Sequence, residues 1–172
     1  PNVEGIAWFC REILPEVQRR VPGVRLAIVG SHPTPEVQAL ARLPGVTVTG
    51  FVDDPRDWLA RAALSVAPLR IARGIQNKVL EAMAMAKPVV VTPAAAAALS
   101  ARPGDEVEVA GEARDFAAKA VALLDPARAT RMGELARRRI LADYAWAASL
   151  QQLDALLERE GGAPRAGIPP RA

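Results

Sequence analysis

Residues 66–91 read V-A-P-L-R-I-A-R-G-I-Q-N-K-V-L-E-A-M-A-M-A-K-P-V-V-V, and this stretch decides the fold. A β-branched run stops at Pro68, and a loop with Arg70, Arg73 and Gly74 follows. Strong helix formers occupy Lys78 to Ala86, and Pro88 then opens the continuous apolar run Val89–Val91. Strand, glycine-bearing loop, helix and uninterrupted strand make one βαβ unit. An unbroken valine strand points to a parallel sheet covered on both faces.

Working outward, the same alternation recurs. Ile6, Phe9, Cys10, Ile13, Val17 and Val21 are at helical spacing, which predicts a helix over 4–21 that ends at Pro22-Gly23. Val24–Val29 reads as a strand closed by Gly30, and a helix follows from Pro35 to about Leu43 with Thr34 as its cap. Val46–Thr49 is a short strand, Asp54 caps a helix opening at Pro55, and Leu64–Ala67 is the strand that leads into the quoted stretch. Beyond it, the alanines 94–98 predict a short helix and Val107–Val109 a last strand. Helices follow at 112–124, 126–142 and 146–159. The expected fold is α/β: a Rossmann-like, mostly parallel sheet with helices on both faces, spanning residues 1–160. Residues 161–172 (G-G-A-P-R-A-G-I-P-P-R-A) read as a disordered tail. The chain opens on Pro1-Asn2 and enters a helix directly, so a first strand is expected to be absent from this fragment.

Composition narrows the function. The chain has 172 residues, 51% of them hydrophobic, so a core can form and global disorder is excluded. Alanine alone supplies 35 positions, so much of that apolar content is small side chains at helix surfaces and close contacts. Cys10 is the only cysteine and falls on the apolar stripe of the first helix, which excludes an internal disulfide and a multi-cysteine zinc site. With His32 the only histidine, a Ser-His-Asp triad or two-histidine metal site has almost nothing to build on. Nothing in the sequence requires a metal. Net charge is +3, with no nucleic-acid-binding motif beside it, so no nucleic-acid partner is expected. No apolar run is long enough to span a membrane and no secretory signal opens the chain, so the reading is cytoplasmic.

Ligands in sheets of this kind sit at the carboxyl ends of the strands. After Pro68, the start of the helix near Gln76 or Asn77 would direct unpaired N–H groups and the positive end of its dipole into the cleft. Gly74 permits close backbone approach and Lys78 adds a cation in the first turn, which together make a diphosphate cradle. Glu81, three residues after Lys78, can accept two hydrogen bonds from ribose hydroxyls. The plainer reading is that Lys78 and Glu81 form a surface i,i+3 pair. His32, in G-S-H-P after a strand, is either an exposed loop residue or a donor contact at the cleft rim. Trp58 and Trp146 read as packing residues. Arg137–Arg139 reads as a solvated helix face or as one turned to acidic lipids.

The same residues resemble the C-terminal half of family 4 retaining glycosyltransferases of the GT-B fold. Lys78, Glu81, Ala82, Met83, Ala84, Pro88, Val89 and Val90 match that family's K-x-x-E-A-M-A helix and P-V-V strand in order. Pro22–Gly30 resembles its P-x-x-x-L-x-I-V-G strand, Val46–Val52 its V-x-x-x-G-x-V element, and Tyr144 with Trp146 its ending. The loop R-I-A-R-G-I-Q-N-K is most similar to that of sugar transferases associated with exopolysaccharide and exosortase clusters.

The resemblance implies a UDP- or GDP-sugar donor, no cofactor, a missing N-terminal acceptor domain, and a polysaccharide or lipid-linked acceptor. A lipid-linked acceptor would place the protein peripherally at the inner face of the membrane. The residues implied to act on the leaving diphosphate are Lys78 and Arg73. Gly74, Ile75, Gln76, Asn77, Lys78 and Glu81 would hold the donor, with Gly50, Phe51 and Val52 flanking its base and Gly30 and His32 at the rim. Three departures stand out, one being the expected absence from this fragment of the strand and basic loop that open the family's donor domain. Arg73 occupies the position of the first of two glutamates common in relatives, and Ala94–Ala98 replaces a glycine pair and glutamate. The rivals are a non-catalytic nucleotide-binding or interaction module of doubly wound fold and a dinucleotide oxidoreductase. No G-x-G-x-x-G follows any strand, against the latter. The strand ends Gly30, Thr49-Gly50, Pro68 and Thr92 lack a receiver's acidic cluster.

Overall fold

The computed structural model of the protein describes residues 1–144. The expected helix 146–159, Trp146 and the tail 161–172 lie outside the described residues.

Helix formation at the amino end is interrupted by its own sequence. Helix α1 (Asn2–Trp8) passes into a π-helical turn, Phe9–Ile13, and continues as α2 (Leu14–Arg20). Pro15 has no N–H to donate, and its ring would strike the carbonyl four residues back. The chain widens just before it, so that the Leu14 N–H bonds the Phe9 carbonyl, five residues back. This turn carries Phe9, Cys10 and Ile13 into the core. The single helix expected over 4–21 is therefore three segments starting at Asn2.

The rest follows the predicted alternation: β1 (Leu26–Val29), α3 (Pro35–Ala39) with a 3-10 turn at Leu40–Arg42, β2 (Val46–Gly50), α4 (Pro55–Arg61), β3 (Ser65–Ala67), α5 (Asn77–Ala84), β4 (Val89–Val91), α6 (Pro93–Ala96), β5 (Glu108–Val109), α7 (Ala113–Ala122) and α8 (Pro126–Asp143). Strand β1 begins two residues later than the valine at 24 suggested, and β5 is one residue shorter than expected. Val107 is buried but precedes the ladder, making only an isolated bridge with Pro103. Helices α3, α4, α6 and α8 begin alike, with Thr34, Asp54, Thr92 or Asp125 capping and proline in the first turn.

All strand pairs are parallel, in two ladders, β1-β2 and β3-β4-β5. Lys87 donates to the carbonyls of Ala60 and Ala62, at 2.7 and 2.9 Å, fixing the end of α4 beside the start of β4. Helix α4 also packs against β1. One cluster holds Phe9, Ile13, Leu14 and Phe116 under both ladders, reached by Leu26 and Ile28 from β1 and by Val66 from β3. Phe116 is fully buried and meets Trp8 and Phe9 edge-to-face, with ring centroids 6.1 and 5.8 Å away. Its truncation to alanine belongs to the class that costs about 3–5 kcal/mol. A second cluster, with Val79, Met83, Val89 and Val91, packs α5 and α8 on β3 and β4. Helices thus cover both faces. Cys10 is buried as expected, its thiol pushed up to about 11 by desolvation.

Candidate functional site

Helix α5 is placed by its apolar face. Val79, Ala82 and Met83 are buried, which turns Asn77, Lys78 and Glu81 outward at the carboxyl edge of β3. The cap residue Gln76 is extended and makes no side-chain cap bond, so the first turn of α5 keeps N–H groups available. Its amide instead donates to the Arg73 and Gly74 carbonyls, both at 3.2 Å, closing the loop on itself. Gly74 has φ of +63°, with nothing near where a Cβ would stand; a side chain there would be strained by conformation alone. The base of the loop is pinned from β4: the Thr92 hydroxyl donates to the Leu69 carbonyl while accepting from the Ala95 N–H. The alanine run thereby forms α6, with Ala95 buried, as a packed support for the loop.

The amino end of α1 forms the other wall. Gly5 lies so close to the loop that a Cβ would stand 2.3 Å from the Pro68 carbonyl oxygen. This close approach brings Pro1 and Asn2 to the loop. With Leu69, Ile71, Ala72, Arg73 and Gln76 they line a cavity of about 380 Å³. Lys78 Nζ donates to Asn2 Oδ1 at 2.7 Å, and desolvation holds its pKa below the ordinary lysine value. Lys78 therefore does not pair with Glu81, as the plainer reading would have it; its partner is neutral and its charge is not cancelled. The Arg73 side chain forms no ion pair among the described residues. Arg70 meets Glu4 only at 3.8 Å and lies 5.9 Å from the Trp8 ring.

The other expected residues fall on the β1-β2 ladder. Gly30 and His32 follow β1, with His32 exposed at φ of +52°. Gly50 ends β2 at φ of +69°, Phe51 is 75% exposed and Val52 half-buried. No hydrogen bond joins this group to the loop 70–78 among the described residues. The structure thus puts Arg73 and Gln76 on one cavity, with Gly74 between them in the loop and Lys78 joined to its wall through Asn2, and leaves Gly30, His32 and Gly50–Val52 as a separate group at the carboxyl ends of β1 and β2. Ile75 is exposed beside the loop, and Glu81 lies one turn further along α5. Sequence reasoning missed Asn2, whose contact with Lys78 spans 76 positions.

A larger hollow of about 450 Å³, lined by Gly104, Asp105, Arg128 and Arg131, lies before β5 at the opposite edge. Arg128 there is already bound to Glu108 at 2.6 Å. The run at 137–139 is not simply solvated. Arg139 turns inward to Glu106 and Arg137 donates to the Ala84 carbonyl, leaving only Arg138 on an exposed pair with Glu134.

The model of the family described as glycosyl transferases group 1 matches residues 1–126. A comparison with curated proteins finds no match. Solved structures of similar fold include HepE from Anabaena in complex with UDP (19% identity, TM-score 0.71, covering 89% of this chain and 46% of that one). A glycosyltransferase from Rickettsia africae matches at 15% identity and TM-score 0.69, covering 86% of this chain and 44% of that one. Sucrose-phosphate synthase from Thermosynechococcus elongatus matches at 23% identity and TM-score 0.68, covering 88% and 42%. The chain therefore spans less than half the length of these structures, and it shares with them the parallel, helix-covered architecture described above. No described helix is long and apolar enough to cross a membrane.

Proposed function

The chain belongs to the glycosyl transferases group 1 family, and from that membership we propose that it is the nucleotide-sugar-binding half of a retaining glycosyltransferase of family 4. The observation that carries the proposal is the arrangement at the carboxyl edge of β3. Two cations with no carboxylate partner among the described residues, Arg73 and Lys78, meet the open first turn of α5 beside a cavity. Such an arrangement favours a diphosphate, because backbone dipoles and fixed cations offset its charge where water is partly excluded. UDP, which HepE holds, has that chemistry; UDP- and GDP-sugars are both candidate donors.

In this proposal the sugar passes to the acceptor by front-face displacement, and the bond broken leaves its electron pair on the diphosphate. Lys78, on a flexible stem, follows the growing charge, and Arg73 stands where relatives carry a carboxylate. Glu81 accepts hydrogen bonds from the ribose hydroxyls. Backbone groups of Gly50, Phe51 and Val52 flank the base, with Gly30 and His32 at the rim. Gly74, Ile75, Gln76 and Asn77 shape the loop around the phosphates. Phe51, after β2, and Ile71 and Ile75, after β3, are exposed apolar residues, suited to burial beneath the acceptor half of the enzyme. We assign the acceptor as a polysaccharide or lipid-linked sugar of exopolysaccharide synthesis, with the enzyme held peripherally at the inner membrane face.

The test is calorimetric titration of the full-length enzyme with UDP, GDP, ADP and their sugars, repeated with Glu81→Ala. One diphosphate series should bind, and the variant should lose about 1.5–3 kcal/mol of affinity, the scale of hydrogen bonds to a charged group, with an unchanged melting temperature. If none of the nucleotides binds, or affinity is unchanged while the fold collapses, the proposal fails.

A further inference from the structure

The amino end of α5 carries the cations of the proposed site, yet α5 is held chiefly at its other end. Among the described residues, the only hydrogen bond from its first turn to another element is that of Lys78 to Asn2. The last turn differs. The final four carbonyls of a helix have no partner within it. Here the Glu81, Ala82 and Met83 carbonyls accept from the N–H groups of Met85, Lys87 and Ala86, at 2.9–3.1 Å. That turn sets Ala86 at φ of +55°, a left-handed conformation that alanine rarely adopts. The fourth carbonyl, of Ala84, accepts from Arg137 of α8 at 2.7 Å.

Four residues before Arg137, on the same face of α8, Gly133 is buried against the Ala86 carbonyl. A Cβ on Gly133 would stand 1.9 Å from that oxygen, so the two backbones touch only because the side chain is missing. Alanine would suit the interior of an 18-residue helix better. Ala136 and Ile140 of α8 then join Val79, Ala82 and Met83 of α5 in one apolar cluster. Helix α8 is itself fixed toward both ends, by Arg128 on Glu108 and by Arg139 on Glu106.

We propose that Gly133 and Arg137 are positioning residues. They fix α5 along its axis from the carboxyl end and so set where Lys78 and the open first turn meet a diphosphate, a role that rests on the phosphate reading of that turn. A methyl group at position 133 has to open the contact by roughly 1.5 Å to reach ordinary separation. With α8 held toward both ends, the movement falls on Ala86 and on the eight residues of α5 joined to it. Two turns of hydrogen-bonded helix pass a shift at one end to the other, and a misplacement of about 1 Å can cost a hundredfold at a reacting site. Arg137 acts in the same direction more gently, through one hydrogen bond at the negative end of the helix.

The test is calorimetric titration of the full-length enzyme with UDP, GDP and ADP, on variants that circular dichroism shows to be folded. Gly133→Ala should raise the dissociation constant of the diphosphate that the wild type binds by about tenfold or more. Arg137→Ala should raise it about threefold, and Arg137→Lys, which can still donate to Ala84, should restore it. Arg138→Ala, one position along and on an exposed pair with Glu134, should leave it unchanged. A contact that merely stabilised the fold would lower the melting temperatures of Gly133→Ala and Arg137→Ala and leave the affinity of the folded enzyme as in the wild type. That result overturns the proposal. If Gly133→Ala does not fold, the Arg137 variants decide, and equal affinity in Arg137→Ala and the wild type overturns it. Binding of none of the three nucleotides by the wild type would overturn the phosphate reading of α5 and this proposal with it; wild-type binding with unshifted variants overturns this proposal alone.

Discussion

At the amino end of β5, Glu106 is 3% exposed and takes Arg139 and Arg102 on its two oxygens, at 3.1 Å each, while Glu108 takes Arg128 at 2.6 Å. At the other edge, after β3, Arg73 forms no ion pair among the described residues and Lys78 leans on the neutral Asn2. The two edges use the same residue types. At the first, each buried carboxylate has its cation, and further cations cap carbonyls: Arg137 on Ala84, Lys87 on Ala60 and Ala62. At the second, the positive charge is left uncancelled. A charge neutralised inside the fold contributes to holding it; one left over at a cavity is available to an anion. Size alone does not single out the uncancelled charge, since the hollow beside Arg128 is the larger one.

The largest expected effect comes from breaking the paired edge. Glu106→Ala leaves Arg139 with Asp143 alone and the Arg102 backbone N–H without its acceptor, and should destabilise the fold by about 3 kcal/mol, read by thermal or urea unfolding. A loss below about 1 kcal/mol would show that the pair is ordinary surface electrostatics. The same group carries a pH signature. Burial pushes the Glu106 carboxyl up, but hydrogen bonds from Arg139 and the Arg102 backbone, together with those charges, outweigh it, so its pKa lies below the ordinary 4.5. A depressed carboxylate contributes stability that is present above the unfolded value and lost as pH falls through the folded one. Melting temperature should therefore drop below pH 4.5, and Glu106→Gln should flatten that drop. An identical slope in the variant would place the acid sensitivity elsewhere.

Lys78→Ala probes the unpaired edge and should leave stability alone. In the full-length enzyme kcat should fall about a hundredfold, near 2.7 kcal/mol, with a smaller rise in KM, because the interaction strengthens as charge grows on the leaving group. Wild-type kcat would remove α5 from the mechanism. Arg73→Ala should follow in the same direction with a milder loss. The smallest effect sharpens the contrast. Asn2→Asp gives Lys78 the carboxylate that its counterparts at the amino end of β5 already have, and should weaken binding of the proposed nucleoside diphosphate by about 1 kcal/mol or less while leaving melting unchanged or slightly raised. Tighter binding of that diphosphate in Asn2→Asp would contradict the view that an uncancelled charge is what the proposed site provides.

The elements themselves were legible because their signals are local. A threonine or aspartate cap followed by proline starts α3, α4, α6 and α8, and three consecutive valines mark the buried β4. Each choice is fixed by sterics and hydrogen bonds within four residues, so the order of strands and helices, and the position of Arg73, Gly74 and Lys78 after a parallel strand, could be read along the chain. Tertiary structure alone decided what those residues face. Lys78 could have turned to Glu81 one turn away but bonds Asn2, because the absence of a Cβ at Gly5 lets α1 press against Pro68. Arg139 looked solvated in a run of three arginines and is instead drawn 33 positions back to Glu106. The division of the sheet into two ladders left no trace in the alternation either. The sequence by itself determined the backbone's local geometry; the partner of each charge and the neighbour of each strand depend on distances across the fold, which only the packing of remote elements sets.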